Sequence, residues 1–261
     1  MPKKKQDFLA SARSVLSIEA DAIKQQIIAL EDSVSGDSFE AACKLMLACE
    51  GRVIVTGMGK SGHISNKIAA TLASTGTPSF FVHPGEASHG DLGMITPKVL
   101  VLAISNSGET AEVLTIVPII KRMGVSLIGI ASAPESTLAK LSDVYLNVGI
   151  SQEACPMNLA PTASTTATLA MGDALAIAIL NARDFDESDF ARSHPGGSLG
   201  RRLLLYVEDI MHTGDELPVV NQDASLTDAL MEMTSKGLGM TGVIDSQNNL
   251  LGIYTDGDLR R

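Results

Sequence analysis

Two short stretches place chemistry-bearing residues where an apolar strand gives way to a helix. The first is "TGMGKSGH", residues 56–63, which follows the run "RVIVTG". Gly57, Gly59 and Gly62 fit the G-x-G-x-x-G dinucleotide pattern, and Gly59, Lys60 and Ser61 look like the end of a nucleotide P-loop. Each reading needs one more part. A dinucleotide site needs an acid near the end of the second strand, about 20 residues on, to bind ribose hydroxyls. That strand ends "FFVHP", with Val82 and His83 in place of the acid and Glu86 beyond it. A P-loop needs a glycine where Ile54 stands. What survives is a glycine loop that lets backbone approach a ligand and presents Lys60 and Ser61 at a strand's carboxyl end. Open parallel sheets bind ligands at that edge. A tight turn with a surface lysine is the plainer alternative, but one turn does not need three glycines.

The second stretch is "AISNSGETAE", residues 103–112. A buried strand ends at Ser105, and Ser107, Gly108 and Thr110 open a helix. Three hydroxyls, on Ser105, Ser107 and Thr110, would stand beside the free N–H groups of a helix N-terminus. Such a place binds phosphate without a basic side chain. Ordinary capping uses one such residue; three around a glycine favour phosphate.

The elements that must hold these loops can be read from periodicity. Residues 7–31 carry Leu9, Val15, Ile18, Ile23, Ile27 and Leu30 at roughly helical spacing. A second helix, "SFEAACKLMLAC", is expected to start at a capping Asp37 or Ser38. Then "RVIVTG", "SFFVH", "VLVLAIS", "SLIGIAS" and "VYLNVG" alternate with helical stretches at 62–74, 109–123 and 136–142. Strands alternating with helices predict an α/β fold, a parallel sheet sandwiched between helices. Unalternated apolar strands fit burial on both faces. A long helix at about 163–182 follows. Thr162, Ser164, Thr165 and Thr166 at its start read as capping and packing residues. The expected first domain is 1–205. Residues 206–261 predict a small separate β-α-β-β-α unit.

Composition narrows the partners. The 261 residues include 20 basic and 30 acidic ones, a net charge of −10. That disfavours nucleic acid, whose binding rests on a basic face, and the absence of Trp makes base-stacking platforms scarce. Cys43, Cys49 and Cys155 form no C-x-x-C pair, which suits a reducing cytoplasm. No apolar stretch reads as long and uninterrupted enough to span a bilayer, so no membrane partner is expected.

These loops together, with "STGTPSFFVHPGEASHGDLGM", "EACPMNLAPTASTTATLAMGDALA" and "SHPGGSLGRRLL" followed by "DIMHTGDELP", resemble the sugar isomerase (SIS) family. Within it they resemble the D-arabinose-5-phosphate isomerases, over nearly the whole chain. The unit at 206–261 resembles the first of that family's two cystathionine-β-synthase (CBS) repeats. The resemblance implies an aldose–ketose isomerase that interconverts D-ribulose 5-phosphate and D-arabinose 5-phosphate at the start of Kdo synthesis for lipopolysaccharide. It implies catalytic roles for Lys60, Glu112, Glu153 and His194, with Lys60 stabilising an oxyanion. It places Ser61, Gly76, Thr77, His83, His89, Ser105, Ser107 and Thr110 at the substrate. It requires no cofactor, admits an inhibitory zinc at His83, and implies a homotetramer. Which glutamate is the base stays open. The local residues alone read differently at two places. Glu112 reads as a helix-dipole partner, and the histidines and carboxylates of "HPGEASHGDLG" as a weak metal signal. Two other functions compete: a phosphosugar-sensing regulator with no activity, and an isomerase of another phosphosugar such as a phosphoheptose. A regulator would carry a basic helix-turn-helix ahead of the SIS domain, whereas residues 1–50 read as two helices of mixed charge.

Overall fold

The computed structural model describes residues 7–193, 196 and 205–259. The chain divides into two compact units, Met1–Leu203 and Leu204–Arg261.

The first unit opens with α1 (Phe8–Glu31) and α2 (Ser33–Leu47). The second helix starts earlier than either expected cap, because the Asp32 carboxylate accepts the Val34 and Ser35 N–H groups. Five strands follow: β1 (Val53–Gly57), β2 (Ser79–Val82), β3 (Leu100–Ile104), β4 (Ser126–Ala131) and β5 (Val144–Asn147). Between them lie α3 (Lys60–Ser74), α4 (Pro84–Ser88), a 3₁₀ turn at Asp91–Met94, α5 (Ala111–Arg122) and α6 (Thr137–Leu141). Then come α7 (Ala163–Ala182) and α8 (Glu187–Ser193).

The strands pair all-parallel in the order β2-β1-β3-β4-β5. Every residue of β1 and β3 is buried, as their unbroken apolar runs require. Alternate residues face opposite layers. Val53, Val55, Leu102 and Ile104 join Met46, Ile68, Leu72, Leu175 and Ile179 from α2, α3 and α7. Ile54, Val101, Ala103 and Leu127 join Val113, Ile116, Val117, Ile120 and Leu138 from α5 and α6. The sheet is thus covered on both faces. The chain leaves β1 toward β2 on one side and leaves β3 toward β4 on the other. Between those two carboxyl ends lies the crevice where strand order reverses, the ligand site of open α/β sheets.

α7 is the most apolar helix of this unit by length and composition. It is 20 residues long, and an 18-residue window of it has a mean hydropathy of 1.5, enough to cross a membrane on those two counts alone. Half of that window is buried, and Met171, Leu175, Ala176 and Ile179 pack in the core. The apolar content belongs to a core helix.

The second unit is a three-stranded sheet, β6 (Val219–Asn221), β7 (Met240–Ile244) and β8 (Leu250–Thr255). β6 runs parallel and β8 antiparallel to β7. The helix Leu226–Lys236 opens with a Ser225–Asp228 capping box and closes at Gly237, whose φ of +70° suits glycine. Ala229 and Met233 form its buried side.

Candidate active site

The first glycine loop uses its three glycines for two purposes. A Cβ on Gly57 would sit 2.7 Å from Ser65 Oγ, and one on Gly62 would sit 2.7 Å from the Gly57 carbonyl. Both let α3 press its first turn onto β1. Only Gly59 faces open space, and its φ of +58° calls for glycine. The sequence reading that all three glycines make room for a ligand is therefore corrected to one. Gly59 also caps α3 with no side-chain hydrogen bond, so the first amides of α3 stay open. Lys60 is exposed and Ser61 half-buried in that turn.

The second loop is braced from within. Ser105 is buried, shares a 2.7 Å hydrogen bond with the Thr110 hydroxyl, and accepts the Gly108 N–H at 3.1 Å. These two hydroxyls brace the loop against itself, and whichever of the pair accepts keeps its own O–H for another partner. Gly108 has φ +68°, and a Cβ there would lie 2.1 Å from Ser136 Oγ. Glu109 reaches across to accept the Thr137 N–H at 2.7 Å, capping α6. Thr110 starts α5 without a side-chain cap. Ser107 is exposed beside this open end, its oxygen accepting the Glu109 N–H at 3.2 Å. Glu112 is exposed in the first turn and makes no side-chain hydrogen bond among the described residues.

Glu153 behaves otherwise. One carboxylate oxygen accepts the Thr162 N–H at 2.8 Å, the Thr162 hydroxyl at 2.9 Å and the Ser164 N–H at 3.2 Å. The other accepts the Ser164 hydroxyl. Partial burial works to raise its pKa. The hydrogen bonds from Ser164 and Thr162 outweigh that and hold the carboxyl below the usual carboxylate range. Glu153 thus supplies the anion at the N-terminus of α7 that capping and the helix dipole favour.

Two cavities open at this edge. One, about 230 Å³, is lined by Lys60, Ser61, Asn106, Ser164, Thr165 and Thr168 among others. The other, about 210 Å³, is lined by Asn106, Ser132, Ser151, Gln152, Glu153 and Asn158 among others. Asn106 lines both. The structure so brings Lys60 and Ser61 to one cavity and Glu153 to its neighbour. Asn106 and Thr168 were missed by the sequence reading, and Ser164 and Thr165 were read as capping and packing residues. The only available signal was that Asn106 sits inside the "SNSGET" motif.

His83 follows β2 and caps α4, with Nδ1 accepting the Gly85 N–H at 3.2 Å. The neutral ring then carries its proton on Nε2. A zinc ligand needs a lone pair directed at the metal, and the one on Nδ1 is taken by the Gly85 N–H. Among the described residues no group of three or more His, Cys, Asp or Glu is placed to hold a metal. In this geometry His83 presents an Nε2 donor, which suits a sugar oxygen. His89 is exposed at the end of α4. Gly76 and Thr77 precede β2 and so lie at the amino edge, opposite the cavities. Gly76 has φ +87°, faces the Phe185 ring, and its carbonyl accepts from Arg183 Nη1 at 2.9 Å. Within one chain these two do not reach the cleft. His194 lies outside the described residues.

Known proteins share this arrangement. Residues 46–178 match the SIS domain family and residues 207–261 the CBS domain family. Arabinose 5-phosphate isomerase KdsD of Pseudomonas aeruginosa is 62% identical over 255 residues, covering 98% of this chain and 77% of the relative. The chain belongs to the arabinose 5-phosphate isomerase family. KdsD of Escherichia coli K12, another family member, is 58% identical over 98% of this chain and 76% of its own length. An E. coli CFT073 protein solved in complex with arabinose 5-phosphate superposes with a TM-score of 0.69 at 39% identity. It covers 74% of this chain and is itself covered completely.

Proposed function

We propose that this chain interconverts D-ribulose 5-phosphate and D-arabinose 5-phosphate. The observation that carries the reading is the crevice between β1 and β3. There two helix N-termini without side-chain caps stand beside Lys60, in a chain whose relatives bear that activity in their names. Open helix amides favour a phosphate. Ser107 is the exposed hydroxyl next to them.

The reaction needs ring opening, then transfer of a proton between C1 and C2 through an enediol. Glu112, exposed at the open end of α5 and without a side-chain hydrogen bond among the described residues, takes the base role. Glu153 is anchored to α7 by four donors and keeps a fixed negative charge. Lys60 offsets the negative charge that develops on the substrate oxygen. The His83 Nε2 donor and His194 are assigned to sugar hydroxyls and ring opening. No metal is assigned a step. We further propose a cytoplasmic homotetramer whose product enters Kdo synthesis. Leu9, Leu16 and Ile27 support self-association, lying exposed on one face of α1.

The deciding assay incubates the chain with D-ribulose 5-phosphate and follows the aldose formed, with and without a chelator. Aldose formation unaffected by chelator is the expected result. Absence of arabinose 5-phosphate would overturn the substrate assignment, and activity restored only by a divalent ion would overturn the metal-free one.

A further inference from the structure

The wall that α7 presents to the 230 Å³ cavity consists of three hydroxyl residues, Ser164, Thr165 and Thr168. Each hydroxyl proton is already directed into the protein. Ser164 donates to Glu153 Oε1. Thr165 donates to the Thr162 carbonyl at 2.7 Å, and Thr168 to the Ser164 carbonyl at 2.8 Å. A carbonyl or an ionised carboxylate can only accept, so none of these three hydrogen bonds can reverse. The hydroxyl oxygens keep their lone pairs, which accept no hydrogen bond among the described residues. The wall therefore offers acceptors and no donors.

The opposite side offers donors. Lys60 carries three N–H bonds and no acceptor, and the first amides of α3 have no side-chain cap. The cleft is thus polarised across its width. A phosphate group at neutral pH is chiefly a set of acceptor oxygens, while a sugar chain supplies O–H donors.

We propose that Ser164, Thr165 and Thr168 form a specificity wall that accepts hydrogen bonds from the hydroxyls of the sugar chain and turns away phosphate. Ligand direction follows: phosphate toward the open helix ends, hydroxyl-bearing carbons along α7. The inference rests on the phosphosugar reading of this cleft and adds the residues that orient the ligand. Glu153 takes part indirectly, because its fixed charge keeps the Ser164 proton turned away from the cavity.

The test measures binding of two probes, arabinose 5-phosphate and inorganic phosphate, by calorimetry on the full chain. Thr165→Val and Thr168→Val remove one acceptor each and keep a similar shape. Each should weaken arabinose 5-phosphate by about 3- to 10-fold, the loss of one ordinary hydrogen bond. Inorganic phosphate should bind as it does to the unaltered chain. Ser164→Ala should follow the same pattern, and Ser164→Thr, which keeps the hydroxyl, should restore binding. Because Ser164 also holds Glu153, the two valine variants decide the matter if Ser164→Ala does not fold. Unchanged sugar-phosphate binding in both valine variants would overturn the wall. So would equal weakening of both probes, since that reports a general distortion. An unaltered chain that binds neither probe would overturn the phosphosugar reading itself, and the wall with it.

Discussion

α5 and α7 both begin at the carboxyl edge of the sheet, on opposite faces, and their first turns are finished differently. At α5 the Thr110 hydroxyl turns back to Ser105, and no side chain caps the helix. At α7 a carboxylate from nine residues upstream takes two backbone amides and two hydroxyls. Both ends carry the partial positive charge of a helix start. One is neutralised by the chain itself, and the other remains open to an anion from outside. The contrast separates the two glutamates by environment where residue type cannot: Glu112 has no side-chain hydrogen bond among the described residues, and Glu153 is locked into the closed helix end.

Exchanging each carboxylate for its amide should break the comparison most visibly. Glu112→Gln should lower kcat by ~10²- to 10⁴-fold, the usual contribution of a general base. Its KM and unfolding temperature should barely move. Glu153→Gln should lower kcat as well, but with a loss of stability of about 0.5–2 kcal/mol, as for a removed helix cap. Steady-state kinetics and thermal unfolding on both variants check this. If Glu112→Gln is fully active, the carboxylate is only a dipole partner.

Ser107→Ala tests the open end directly. Removing a hydrogen bond to a charged group weakens binding by roughly 1.5–3 kcal/mol, about 10-fold or more. KM and the inhibition constant for inorganic phosphate should rise together while kcat holds. An unchanged phosphate constant would move the phosphate elsewhere and leave Ser107 as a turn residue.

The closed end has its own pH signature. The folded-state pKa of Glu153 is depressed, so its contribution is fully present above the unfolded pKa of about 4.3. It is lost as pH falls through the lower folded value. The unfolding temperatures of the native chain and Glu153→Gln should therefore differ at neutral pH and converge in acid below about pH 4. Parallel curves down to about pH 3 would show that the carboxylate adds nothing as an anion.

The layers and both loops were legible because their signals are local. Apolar runs without alternation, such as Val53–Val55 and Leu100–Ile104, announce strands covered on two sides. Gly59 and Gly108 mark the turns. The missed features depend on contacts between distant segments. No local pattern states that Glu153 will fold back onto Thr162 and Ser164, or that Asn106 will line two cavities. Gly36 has an unfavourable helix propensity, yet the Asp32 cap starts α2 ahead of it. His83 is an unusual cap, so the helix Pro84–Ser88 read as loop. Gly76 and Thr77 came from resemblance, and only the strand direction shows them at the far edge.

The smallest expected effect lies in the loop that carries Glu153. Amides of Ala160, Leu159 and Met157, with help from Asn158, converge on the Cys155 sulfur and hold its pKa below the ordinary thiol value. Cys43 on α2 shows the opposite. Burial first, then the Glu40 charge, pushes its pKa up. The thiolate is the form that alkylates. At about pH 7 iodoacetamide should therefore modify Cys155 ahead of Cys43, with the difference narrowing as pH rises toward about 9. Mass mapping of partly modified protein gives the order. A saturating phosphosugar in the adjoining cavities should slow Cys155 without changing Cys43. Equal rates for the two thiols at neutral pH would mean that the Met157–Ala160 amides do not gather around the sulfur in solution. The anchored end of the comparison would then reach no further than Glu153 itself.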